Sequence, residues 1–126
     1  MTVLIAEDDR VLAHLLTQKL RVLGVQTIVA SDAMQAVMLA TRMLPAAILL
    51  DMNMPGGTGL EVLRRLKSMA KTSMIPIITF SGTTDPDLPA TARALGAEDF
   101  IPKPLDFEKL FSLLCGLIQP VKPPVR

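Results

Sequence analysis

The chain has 126 residues, 50% of them hydrophobic and 3% aromatic, and its formal net charge is +1. This length suits one domain with one substantial core, while the near-neutral charge and few aromatic side chains disfavour a nucleic-acid-binding module. One cysteine excludes a disulfide framework, and no apolar run approaches the roughly 18 residues of a membrane span. We therefore expect a cytoplasmic domain without membrane contact, with Cys115 as a buried, unreactive thiol in an apolar helical pattern.

Short apolar runs alternate with helical patterns five times along the chain. In chain order, we predict a strand at 2–6, a helix at 10–23, a strand at 25–30, a helix at 32–44, a strand at 46–50, a helix at 58–69, a strand at 75–80, a short helix ending at 95, a strand at 99–102 and a helix at 106–118. Residues 119–126 carry three prolines and are predicted to be a tail or the start of a linker, which leaves 1–118 as the domain.

Polar residues at the predicted helix starts act as caps, as Asp32 with Gln35 and Thr58 with Glu61 illustrate. The apolar residues of the first helix that are predicted to share one face are Val11, Leu12, Leu15, Leu16, Leu20 and Leu23.

Two prolines make the fourth helix unusual. It begins either after an Asp85 cap, with Pro86 at its first position, or only at Pro89, which leaves about two turns. We expect this helix to be short or mobile.

Five strand–helix units predict a doubly wound α/β fold, in which a parallel sheet has helices on both faces. Ligands of such sheets bind outside the carboxyl ends of the strands, so the residues that follow each strand are the candidate site. These residues are Glu7, Asp8 and Asp9 after the first strand, Asp51 and Asn53 after the third, Ser81 and Gly82 after the fourth, and Lys103 after the fifth.

Acidic side chains crowded at one edge repel one another, and Mg²⁺ is the usual ion that neutralises them. An aspartate beside such a metal, with Lys103 and Ser81 nearby, has what a carboxylate needs to accept a phosphoryl group. Each residue alone also has a structural explanation: Asp9 as a helix cap, Asp51 and Ser81 as turn residues, Lys103 as a solvated charge. Their common position at strand ends favours one shared phosphoryl-accepting site over these separate structural roles.

The chain resembles the receiver domain of two-component response regulators over residues 2–118. The segments that carry the resemblance are LIAEDD at 4–9, LLDMNMP at 49–55, ITFSG at 78–82 and FIPKP at 100–104. The resemblance implies a flavodoxin-like sheet with strand order 2-1-3-4-5 and five helices. It also implies that the Lys103–Pro104 bond is cis.

By the same resemblance, Asp51 is the phosphoacceptor, and Glu7, Asp8 and the backbone carbonyl of Asn53 hold Mg²⁺. The first acidic position is often aspartate in the family, and the longer Glu7 side chain is a departure. Ser81, Gly82 and Lys103 match the phosphoryl-binding positions. The remaining roles implied are the switch pair, Ser81 with Phe100, and the hydrolysis-modulating positions, Asn53 and Thr83.

The implied partners are a sensor histidine kinase or a histidine phosphotransfer protein, and a downstream protein target or output domain. The domain is not expected to be an enzyme acting on an external substrate.

An aspartyl phosphohydrolase is disfavoured because its nucleophile follows the first strand, where Glu7 stands here. A flavodoxin-like cofactor binder is disfavoured because the acidic first loop would repel a phosphate. A receiver-fold interaction module that is never phosphorylated stays open as an alternative.

Overall fold

A computed structural model describes residues 1–118 of the chain; the predicted tail at 119–126 lies outside the described residues. The ten elements follow one another in strict alternation. They are β1 (Thr2–Ala6), α1 (Arg10–Val22), β2 (Gln26–Ala30), α2 (Ala33–Met43), β3 (Ala47–Asp51), α3 (Gly59–Ser68), β4 (Ile77–Ser81), α4 (Leu88–Ala94), β5 (Asp99–Pro102) and α5 (Phe107–Leu117).

All four strand pairs are parallel, and the sheet has the order β2-β1-β3-β4-β5. The sequence prediction of a doubly wound, flavodoxin-like fold is therefore confirmed. Every residue of β3 and β4 is buried, which explains why these strands are apolar throughout rather than alternating. The order reverses between β1 and β3, so the crevice for a ligand lies at the carboxyl ends of these strands.

Each face of the sheet has its own core. One contains Leu4, Leu50 and Phe100 and is covered by helices that include α2 and α3. The other contains Ile5, Leu49 and Phe80 and is covered by α1 and α5. Neighbouring residues of one strand thus point to opposite cores, as the pleat of a strand requires.

Side-chain caps begin four of the five helices, as the sequence predicted. Asp9 accepts from the N–H groups of Val11 and Leu12, and Thr58 accepts from that of Glu61. Asp32 and Asp106 bond in the same way at the starts of α2 and α5. Because Asp9 satisfies the first turn of α1, its carboxylate serves the helix.

Three predictions about side-chain burial are wrong. Val11 is 78% exposed and Leu15 is 37% exposed, because α1 turns Ala13, Leu16 and Leu20 toward the core instead. Cys115 is exposed rather than buried, since it follows the buried Leu114 by one position, or about 100° around α5. An apolar residue beside a helix's buried stripe does not itself belong to that stripe.

The strands β3 and β4 each extend one residue further than predicted. Asp51 and Ser81 are their last residues, because the backbone N–H of Met52 continues the ladder by donating to the carbonyl of Phe80. These two side chains therefore stand on the rigid sheet and not in a loop.

The helix α4 has seven residues, which confirms that it is short. It begins at neither predicted position: Asp87 is its N-cap and makes no side-chain cap bond, and Pro89 is the second helical residue. Its mobility stays a prediction. Arg93 ties α4 to β5 through an ion pair with Asp99, 2.7 Å between Nη2 and Oδ1.

The first turn of α3 packs tightly against the segment that follows β3. A Cβ atom at Gly59 would overlap the Cα atom of Met52 and stand 2.8 Å from its sulfur. The backbone N–H of Gly59 also donates to the carbonyl of Met52. Glycine is therefore required here by close approach, and it sets where the segment after Asp51 lies.

Gly59→Ala should lower the free energy of unfolding by about 1–3 kcal/mol, because the backbone of Met52 must move to admit the methyl group. Gly116→Ala is the matched control, since nothing lies within 4 Å of a Cβ there. Because Gly116 lies in the last turn of α5, that change should be neutral or stabilising by up to about 1 kcal/mol. Urea unfolding of both variants measures the difference, and equal stabilities would contradict the tight packing.

The Arg93–Asp99 pair should contribute a small, pH-dependent stability. Partial burial raises the pKa of Asp99, but the hydrogen bonds from Arg93 and from the N–H of Phe100 outweigh it and hold the pKa below its ordinary value. The contribution is therefore present above the unfolded pKa and lost as the pH falls through the folded one. Because Arg93 is half exposed, Arg93→Gln should cost less than about 1 kcal/mol at neutral pH, and the difference should vanish in acid unfolding curves.

Candidate functional site

The carboxyl edge of the sheet brings the predicted residues together. Glu7 directly follows β1, Asp51 and Ser81 end β3 and β4, and Lys103 directly follows β5. The parallel register places these strand ends side by side, with Asp51 opposite Phe80 and Ser81 opposite Pro102. The Lys103–Pro104 bond is cis, as expected.

Lys103 bridges two buried carboxylates. Its Nζ atom lies 2.8 Å from Oε1 of Glu7 and 3.3 Å from Oδ2 of Asp51. Partial burial lowers the pKa of Lys103, but the hydrogen bond to Glu7 and the charge of Asp51 outweigh it and raise the pKa above its ordinary value. The ammonium therefore stays charged and supplies the positive charge at the centre of the edge.

Glu7 is 1% exposed, and both of its carboxylate oxygens have partners. Oε1 accepts from Lys103, and Oε2 accepts from the backbone N–H of Asp9 at 3.0 Å. Burial raises the pKa of Glu7 to about 7, although the bonds from Lys103 and Asp9 oppose this rise. Its carboxylate is thus held in place by protein groups.

Asp51 is 2% exposed, with Oδ1 accepting from the N–H of Asn53 at 3.0 Å and Oδ2 facing Lys103. Asp8 lies beside it with an exposed side chain. One carboxylate oxygen from each of Glu7, Asp8 and Asp51 lies within 4.8 Å of the other two. Three hard oxygen ligands at this spacing could hold a metal ion.

A second set of hydrogen bonds joins β3 to β4. The Nδ2 group of Asn53 donates to Oγ of Ser81 at 2.6 Å, and the backbone N–H of Thr83 donates to the same oxygen at 3.1 Å. Sequence reasoning assigned Asn53 a backbone carbonyl and an effect on hydrolysis, and it missed this side-chain bond. Asn53 and Ser81 are 28 residues apart in the sequence. Only the pairing of β3 with β4 brings their side chains into contact.

The remaining predicted residues lie around this centre. Gly82 stands against Lys103, whose Cβ atom is 3.9 Å from where a Cβ of residue 82 would be. Phe100 is 8% exposed and belongs to the core that contains Leu50, against which Leu88 also packs. Its ring is therefore buried on the side of the sheet where α4 begins. The phosphoryl-binding role of Gly82 and the switching role of Phe100 stay predictions.

The fold and the acidic edge together define the class of the protein. The family model described as "Response regulator receiver domain" matches residues 3–114. The chain therefore belongs to the response regulator receiver domain family. No helix of residues 1–118 is both long and apolar enough to cross a bilayer.

Curated relatives are similar over nearly the whole chain. Response regulator MprA of Mycobacterium leprae is 31% identical over 98% of this chain and 53% of its own length. Transcriptional regulatory protein TctD of Salmonella typhimurium is 34% identical over 94% of this chain and 52% of its own. The chain thus spans about half the length of these relatives.

Solved receiver domains share the fold. The signal receiver domain of a DNA-binding response regulator from Colwellia psychrerythraea has a TM-score of 0.87 and 33% identity, covering 93% of this chain and 97% of that one. The receiver domain of a Pseudomonas aeruginosa sensor histidine kinase, solved with a magnesium ion coordinated in its active-site cleft, has a TM-score of 0.82 and 26% identity, covering 92% and 95%.

The bridge made by Lys103 predicts a dependence of stability on Glu7. At about pH 8 the Glu7 carboxylate is charged, so Lys103→Met should lower the free energy of unfolding by about 1–3 kcal/mol. In a Glu7→Gln background the same change should cost less, because only Asp51, and not Glu7 as well, then loses its charged partner. Lys71→Met, at an exposed lysine, should stay within about 0.5 kcal/mol of the parent. Urea unfolding measures the free energies. Equal losses of unfolding free energy in both backgrounds would show that the contact between Lys103 and Glu7 does not stabilise the fold.

Proposed function

We propose that this domain takes a phosphoryl group from a phosphohistidine onto Asp51 and changes its surface in response. The observation that carries the proposal is the contact of Lys103 with both buried carboxylates, which gathers residues from three strands around Asp51. An ordinary solvated lysine or a turn aspartate would not be held in this way. The complete contact set gives no support to a module that is never phosphorylated.

In the proposed reaction, Oδ2 or Oδ1 of Asp51 attacks the phosphorus in line with the phosphohistidine nitrogen. A phosphorus–oxygen bond forms as the phosphorus–nitrogen bond breaks, and the histidine nitrogen keeps the electron pair. Lys103, already 3.3 Å from Oδ2, is placed to pair with the phosphoryl oxygens, and Ser81 is placed to donate to one of them.

The acidic residues fit a hard divalent cation, because their oxygens lie within 4.8 Å of one another. We propose Asp8 and Asp51, with Glu7 and the backbone carbonyl of Asn53, as the residues that would hold Mg²⁺. When bound, Mg²⁺ supplies positive charge that neutralises the phosphoryl oxygens. Because both Glu7 oxygens already have protein partners, the exposed Asp8 is the carboxylate with the most freedom to bind it.

The product is the phosphorylated domain itself, so we propose a signalling phosphoacceptor and not an enzyme with an external substrate. The donor is a sensor histidine kinase or a histidine phosphotransfer protein. The recipient of the signal is a downstream protein or an output domain. Movement of Ser81 toward the phosphoryl group would alter the packing around Phe100 and the start of α4, while Asn53 and Thr83 modulate hydrolysis.

Acetyl phosphate with Mg²⁺ should add one phosphoryl group that hydroxylamine removes, as intact mass spectrometry can measure. Asp51→Asn should abolish this adduct, because an amide oxygen is a poor nucleophile and its phosphoryl ester is not formed. Asp32→Asn is the matched control, since asparagine caps a helix as well as aspartate, and it should label fully. Labelling that survives in Asp51→Asn would overturn the assignment.

A further inference from the structure

We propose that the side chain of Asn53 is a positioning residue that orients the Ser81 hydroxyl as a hydrogen-bond donor toward the group carried by Asp51. This inference rests on the proposed function and deepens it. It assigns to the amide of Asn53 a task separate from that of its backbone carbonyl.

Asn53 is hydrogen-bonded to both Asp51 and Ser81. Its backbone N–H donates to Oδ1 of Asp51 at 3.0 Å, and its Nδ2 group donates to Oγ of Ser81 at 2.6 Å. These two bonds connect the end of β3 with the end of β4 through one residue. The position of the Ser81 hydroxyl relative to Asp51 therefore depends on the Asn53 side chain.

The hydrogen-bonding capacity of a hydroxyl is two acceptor lone pairs and one proton. Both lone pairs of Ser81 are filled, one by Nδ2 of Asn53 and the other by the N–H of Thr83. Ser81 Oγ donates no hydrogen bond to any of residues 1–118, and the residue is 1% exposed. The hydroxyl can therefore only donate, and a phosphoryl oxygen is a pure acceptor that matches it.

Removing the amide should weaken this arrangement. Without Asn53 Nδ2, one lone pair of Ser81 becomes free and the hydroxyl regains rotational freedom. The entropy of orienting the hydroxyl is then lost when the phosphoryl group binds, which weakens binding. The expected loss is that of one hydrogen bond, about three- to ten-fold in affinity for a phosphoryl analogue. Because the amide acts only by orienting the Ser81 hydroxyl, this loss of affinity should not occur where Ser81 is already replaced.

The same hydroxyl also sets the start of the segment that leads to α4. Thr83, bonded to Ser81, accepts at Oγ1 from the N–H of Asp85 at 3.3 Å. Asp85 accepts in turn from the N–H of Asp87, the N-cap of α4, at 2.9 Å. The Thr83 amide is therefore a direct reporter of how Ser81 is held.

Beryllium fluoride with saturating Mg²⁺ is the probe, and its affinity is measured by titration of wild type, Asn53→Ala, Ser81→Ala and the double variant. Asn53→Ala should bind about three- to ten-fold more weakly, and the double variant should match Ser81→Ala. Affinity for Mg²⁺ alone is measured for each variant, so that every titration is made at a saturating Mg²⁺ concentration. Gln35→Ala, which removes another amide–serine bond, should bind as wild type does.

Unchanged or tighter binding in Asn53→Ala, or losses that add in the double variant, would overturn the positioning role. Failure of wild type to bind beryllium fluoride would instead refute the proposed function at Asp51. In that event, NMR of the unphosphorylated protein still tests the contact between Asn53 and Ser81. Asn53→Ala should shift the Thr83 amide resonance as Ser81→Ala does, and an unshifted resonance would refute the contact between the two side chains.

Discussion

The ammonium group of Lys103 lies between two carboxylates that the sheet has removed from water, and the rest of the site depends on this contact. Glu7 and Asp51 are almost fully buried, and two such charges side by side repel each other unless a cation is present. The cation is the residue that directly follows β5, a strand that is not adjacent to β1 or β3. The charge balance therefore requires the whole sheet to be formed, so the chemistry is tied to folding.

Two hydrogen-bonded groups meet at Asp51. Lys103 supplies charge from one side, while Asn53 links the same aspartate to Ser81 on β4. Under the proposed function, Lys103 would favour the negative charge of a phosphoryl group, and Asn53 would orient the hydroxyl that donates to it. Because Asp51 and Ser81 end buried strands, their positions are set by the sheet, whereas Thr83 and the loop beyond it are exposed. An acceptor on the sheet beside an exposed loop suits the proposed phosphorylation switch.

Much of the fold was predictable from local sequence. Caps such as Asp9 and Thr58 and the apolar runs locate the elements to within two residues, because capping and burial act over a few positions. The start of α4 was not predictable, since two prolines allow competing starts and neither matches Asp87. Exposure of Cys115 was missed because one position around a helix separates a buried side chain from an exposed one.

The sequence by itself determined the class of fold and the chemical identity of the site: a parallel sheet, and acidic, hydroxyl and ammonium groups at its strand ends. It could do so because periodicity and residue type are local properties. Only the tertiary structure decided that Lys103 contacts Glu7 as well as Asp51, and that the amide of Asn53 meets Ser81. Those contacts join residues far apart in the chain, and their existence depends on strand order and register, which no single segment encodes.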